Sequence, residues 1–208
     1  MHIEPGHPDA AHPLLALAAR VLEDLGGEVV IHTRDDNLVR SRRDGDPGDA
    51  PYIVEAAGLP NLLHELVHVL QFGRLADDHG LDYGQIPYDL GDPAQRRHLW
   101  EELACCVVSC AYLDPASEAA WFAEQVGIQG VFYGFDDDPP GFLAAVDRTV
   151  TDHGSELEAV LTTAYSELER RLLTVGAGPL ARPRRLQFPT MWARFRADPV
   201  GCTRLASP

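Results

Sequence analysis

The sequence predicts a mixed α+β fold that is mostly helical, in a single domain spanning residues 1–208. Three observations carry that prediction. Apolar residues recur at helical spacing over most of the chain, as in Leu14, Leu15, Leu17, Ala18, Val21, Leu22 and Leu25. Two short stretches, 28–33 and 51–56, have the apolar, β-branched character of strands. With 208 residues, 45% of them hydrophobic, the chain is long enough to bury one substantial core.

The elements follow in order. Residues 1–12 are rich in Pro, His and Gly and read as an irregular lead-in. His2, His7 and His12 recur every five residues, which fits no helical face, so they are assigned to the surface. A helix over 13–25 is stopped by Gly26-Gly27, and Glu28-Val-Val-Ile-His-Thr33 reads as a strand. The segment 34–49, dense in Asp, Arg and Gly, reads as a loop or a long hairpin connection. Pro51 opens a second strand to Ala56, in the position a proline takes on an edge strand. Gly58 and Pro60 then open a strongly apolar helix running to Gly73. Residues 76–93 form a long polar loop, of the kind that serves as a lid. A core helix follows over 94–113, then helices over 116–126, 141–150 and 153–174, with a loop at 127–141. A short helix near Met191–Phe195 ends the pattern.

Composition limits the partners. Mean hydropathy is -0.15. No apolar run approaches the roughly 18 residues of a membrane span. The start, Met-His-Ile-Glu-Pro-Gly, lacks the basic and apolar parts of a signal peptide. The expectation is a cytoplasmic protein with no membrane contact. A net charge of -15 argues against nucleic acid as the main partner. Residues 181–208 run the other way, with six arginines against Asp198 alone, and are expected to pair with the acidic remainder or with a protein partner. All 17 basic residues are arginine, which excludes a Schiff-base or P-loop lysine. Cys105, Cys106 and Cys110 lie on one predicted helix and, with Cys202, show no CxxC spacing, so they read as buried free thiols.

The chemistry concentrates in the helix after Gly58. There His64, Glu65 and His68 spell H-E-x-x-H among Leu62, Leu63, Leu66, Val67, Val69 and Leu70. Residues four apart share a helical face, so both imidazoles reach one ion while Glu65 faces the water beside it. With 9 His and 13 Glu in the chain, chance produces this pattern roughly 0.02 times. Two histidines and a carboxylate on an apolar helix also need partners, and one metal ion satisfies all three. The third ligand has to come from elsewhere. His98-Leu-Trp-Glu-Glu-Leu-Ala-Cys sets Glu101 and Glu102 in the middle of an apolar helix, where a carboxylate again needs a partner.

In these two motifs the chain resembles the zincin metallopeptidases, specifically the glutamate-ligand group, the gluzincins. In that group the H-E-x-x-H helix is followed by a helix carrying E-x-x-A, which Glu101-Glu102-Leu103-Ala104 matches. The resemblance spans about residues 51–113. It implies Zn2+ held by His64, His68 and Glu101, with Ala104 letting the two helices approach and Glu102 on a neighbouring face. It implies a zincin-like core in which a small sheet packs on the H-E-x-x-H helix, with Tyr52–Ala56 as the edge strand that takes extended substrate. The group with a third histidine is not matched, since Gln71 and Arg74 stand where it has Gly and His.

The activity implied is cleavage of an amide bond in a peptide or small-molecule substrate by zinc-activated water, with Glu65 as general base. Candidates to stabilise the oxyanion are Tyr83, Tyr133 and His153, while His79 and His98 flank the region. Other readings are a zinc-dependent hydrolase or tailoring enzyme on a small non-peptide substrate, and a non-catalytic metal-binding regulatory protein. A carboxylate di-iron bundle would need a second E-x-x-H, which the sequence lacks.

Overall fold

The computed structural model describes residues 1–34, 37–46, 48–72, 75 and 89–198. It is α+β and mostly helical. Contacts divide the chain into two compact units, Met1–Leu81 with Ser166–Pro183, and Asp82–Tyr165 with Arg184–Pro208.

The first unit holds a four-stranded sheet of β1 (His2–Ile3), β2 (Gly27–Ile31), β3 (Leu38–Ser41) and β4 (Tyr52–Ala56), in the order β1-β2-β4-β3. β1 and β4 flank β2 in parallel, and β3 pairs antiparallel with β4. Burial alternates along β2, where Gly27, Val29 and Ile31 point inward, as a strand with one covered face requires. Helix α1 (Pro13–Asp24) packs on β2, and helix α2 (Leu59–Phe72) packs on α1 and β4. Gly26, at φ 96°, supplies the left-handed turn between α1 and β2.

Two sequence expectations change here. Tyr52–Ala56 is not an edge strand: it lies between β2 and β3, because part of the charged 34–49 segment folds into a strand. Only Val39 of β3 is buried, so hydrophobic patterning does not reveal it. Its support is ionic. Arg40 on β3 binds Asp46 at 2.6 Å and Glu55 on β4 at 3.1 Å, and its guanidinium holds the Asp46 carboxyl down at about 2. The lead-in is also more ordered than expected, with β1 and a 3-10 helix over Pro8–Ala11.

That 3-10 turn fixes the start of α2. Asp9 accepts a hydrogen bond from the Leu59 amide at 2.8 Å, serving as a cap supplied from a distant segment. His7, expected on the surface, is buried. Its Nδ1 accepts from the Asp9 amide, which leaves Nε2 to donate to the Ala57 carbonyl at 3.0 Å. Gly58 is needed because a Cβ there would stand 2.8 Å from the Asp9 carboxylate. Asp9→Ala is expected to lower stability by about 1 kcal/mol, read from urea denaturation.

The second unit is helical, with α3 (Pro93–Cys110), α4 (Pro115–Phe132), most of α5 (Pro139–Thr174) and α6 (Phe188–Ala197). Asp92 and Asp114 cap α3 and α4 through their side chains, each followed by a proline in the first turn. From Leu103 to Cys110 every residue of α3 is buried, and the three cysteines there are free thiols. α4 packs on α3 and α6. It continues through Gly127 and Gly130 to Phe132, where the sequence suggests a loop. α5 likewise runs unbroken through Asp152-His153-Gly154, where two helices were expected.

Several C-terminal arginines are used within this unit. Arg184 donates to the Cys110, Ala111 and Leu113 carbonyls at the end of α3, where a positive charge meets the negative helix terminus. It also binds Glu118, as does Arg194. Among the described residues, no helix is long and apolar enough to cross a membrane.

Candidate metal centre

Helix α2 is buried almost all round, with Leu62, Leu63, Leu66, Val67, Val69 and Leu70 each at 4% exposure or less. His64 and Glu65 are buried in the same stretch, and His68 is half-buried. Polar side chains in such surroundings are costly unless something binds them. One helical turn aligns the two imidazoles, with ring centroids 4.7 Å apart and planes inclined by 58°. Their Nε2 atoms face each other at 2.9 Å. That distance is met when the N–H of one ring donates to the lone pair of the other, and it also brings both rings within reach of one cation.

Glu101 and Glu102 are neighbours on α3, roughly 100° apart around its axis. Glu101 accepts from Arg97, one turn earlier, at 2.6 Å. Glu102 accepts from Gln129 of α4 at 3.4 Å.

The remaining site candidates are placed as follows. Tyr133 caps the end of α4, fully buried, and its hydroxyl donates to the Gln95 carbonyl at 2.8 Å. Burial first, and then the charge of Glu102, push its phenol well above the ordinary range, so it stays protonated. His153 lies on α5, with its side chain 39% exposed and Nδ1 3.5 Å from Glu156. Glu156 in turn holds the buried Arg96 at 2.8 Å. Tyr83, His79, Arg74 and residues 76–88 of the proposed lid fall outside the described residues. Sequence reasoning did not single out Gln129. Its signal was a lone long amide in the apolar run Val126-Gly-Ile-Gln-Gly.

With its hydroxyl committed to Gln95, Tyr133→Phe is expected to cost about 1 kcal/mol of stability and to leave turnover within about threefold of wild type. Parallel thermal melts and rate measurements check this. A large loss of kcat at unchanged stability would instead make Tyr133 an oxyanion donor.

Comparison with protein-family models, with curated proteins and with solved structures finds no match to this chain.

Proposed function

We propose that this chain is a zinc-dependent hydrolase of zincin type, a peptidase that cleaves an amide bond with Glu65 as general base. The observation that supports this most is the facing pair of His64 and His68, whose Nε2 atoms stand 2.9 Å apart, with the buried Glu65 beside them on the same helix. The donor set suits the ion: two imidazole nitrogens from one helical turn, with a carboxylate from Glu101 or its neighbour Glu102 proposed as the third ligand on the E-x-x-A resemblance, leave the fourth position of a zinc tetrahedron open for chemistry.

A zinc ion bound there supplies Lewis acidity, activating water and polarising a carbonyl. The other tasks belong to the chain. His64 and His68 hold the ion from a rigid helix whose first turn is tied down by Asp9. A single carboxylate ligand, Glu101 or Glu102, would add one negative charge, so the centre would keep a net positive charge toward a developing oxyanion. Glu65 takes the proton of the attacking water and delivers it to the leaving nitrogen. With β4 interior, β3 is the sheet-edge strand next to it on which an extended substrate could add.

A digest of a peptide library, with and without a chelator, tests the reading. The expected result is cleavage that the chelator abolishes and added zinc restores. An intact library with zinc-loaded protein would contradict the peptidase assignment.

A further inference from the structure

Helix α2 begins without a cap of its own. Gly58, just before it, has no side chain, and Pro60 in its first turn has no N–H. The lead-in supplies what is missing, and it does so from a fixed base. His2 and Ile3 pair in parallel with Val30 and Ile31 of β2, and the Glu4 amide donates to the Ile31 carbonyl at 2.9 Å. The Glu4 carboxylate accepts from the Thr33 amide at 2.7 Å and from the Thr33 hydroxyl at 2.9 Å. From that anchor two side chains reach the start of α2. The His7 ring, 5% exposed, accepts from the Asp9 amide at 3.1 Å on Nδ1 and donates to the Ala57 carbonyl at 3.0 Å from Nε2. Asp9 is thereby set to accept from the Leu59 amide at 2.8 Å. All of these residues belong to the first unit. His64 lies one turn further on, where helix geometry places its amide on the Pro60 carbonyl.

We propose that His7 is a positioning residue for the H-E-x-x-H helix: its ring clamps the lead-in to Ala57 and so holds the first turn of α2, and with it His64, in place for a metal ion. This rests on the metal-centre reading above. His7 touches neither substrate nor ion, so its effect enters through the closed first turn of α2. A ligand held in place before the ion arrives binds it more tightly. One net hydrogen bond shifts an equilibrium by roughly 3–10-fold, which sets the size of the effect.

Two replacements in the full-length chain separate the ring nitrogens. Gln carries an amide nitrogen where Nε2 stands and keeps the bond to Ala57. Asn carries an oxygen where Nδ1 stands and keeps only the bond from Asp9. The readouts are zinc affinity, from competition with chelators of graded strength, and hydrogen exchange along α2. His7→Asn is expected to raise the zinc dissociation constant about 3–10-fold. It is also expected to speed exchange at Leu62, whose amide donates to the Gly58 carbonyl, and at Leu63 more than along α1. His7→Gln is expected to match wild type. Should His7→Asn not fold, His7→Ser, whose hydroxyl caps the 3-10 turn but cannot reach Ala57, carries the same comparison. A role confined to overall stability would leave the zinc affinity of the folded chain unmoved and speed exchange evenly. Either of those results, or equal losses in the Gln and Asn variants, would overturn the proposal while leaving the metal centre intact. A wild-type chain that binds no zinc would overturn both.

Discussion

Glu65→Gln is expected to keep one zinc per chain and to lose turnover by about 10²–10⁴-fold, the usual worth of a positioned general base. The amide is nearly the same size as the carboxylate, so the packing of α2, where Glu65 is 8% exposed, is retained. It cannot accept the proton of the attacking water. Thermal stability close to wild type, together with full zinc content, separates lost chemistry from lost structure. Full activity in this variant would remove Glu65 from the mechanism, whatever metal the site holds.

The second large effect is loss of the metal. His68→Ala is expected to lower zinc affinity by at least about 100-fold, since one of three protein ligands is lost. Chelator competition measures it, and unchanged affinity would remove His68 from the centre. The same measurement on Glu101→Ala and Glu102→Ala identifies the third ligand: the E-x-x-A resemblance points to Glu101, which is bound to Arg97 on its own helix, and a comparable loss at Glu102 alone would move the assignment to its neighbour.

That contrast marks where sequence reasoning stops. H-E-x-x-H is readable because helical geometry alone puts residues 64 and 68 on one face. The choice between Glu101 and Glu102 is not local. It depends on how α3 is rotated about its axis, which its burial on all sides from Leu103 onward leaves without a sequence signature.

The fold divides in the same way. Helices with a clear apolar period, α1 and α2, lie within a residue or two of where the pattern puts them. β3 was hidden because its stability comes from Arg40 pairing with Asp46 and Glu55 across the turn and the adjacent strand. Missing it misplaced β4 at the edge. α4 and α5 run through glycines that read as breaks, since burial against neighbouring helices outweighs the roughly 1 kcal/mol a helical glycine costs. His7 looked like one of three scattered surface histidines, yet its two ring nitrogens join the lead-in to the backbone just before α2.

The central claim is that His64 and His68 hold one ion together with a third, carboxylate ligand. A crystal of the zinc-loaded chain, with anomalous data collected across the zinc edge, tests it most directly. The account predicts a single anomalous peak bound by His64, His68 and one carboxylate oxygen at about 2.0–2.2 Å, with one coordination position left to solvent. A peak away from the histidine pair, or no peak in fully loaded crystals, would contradict it.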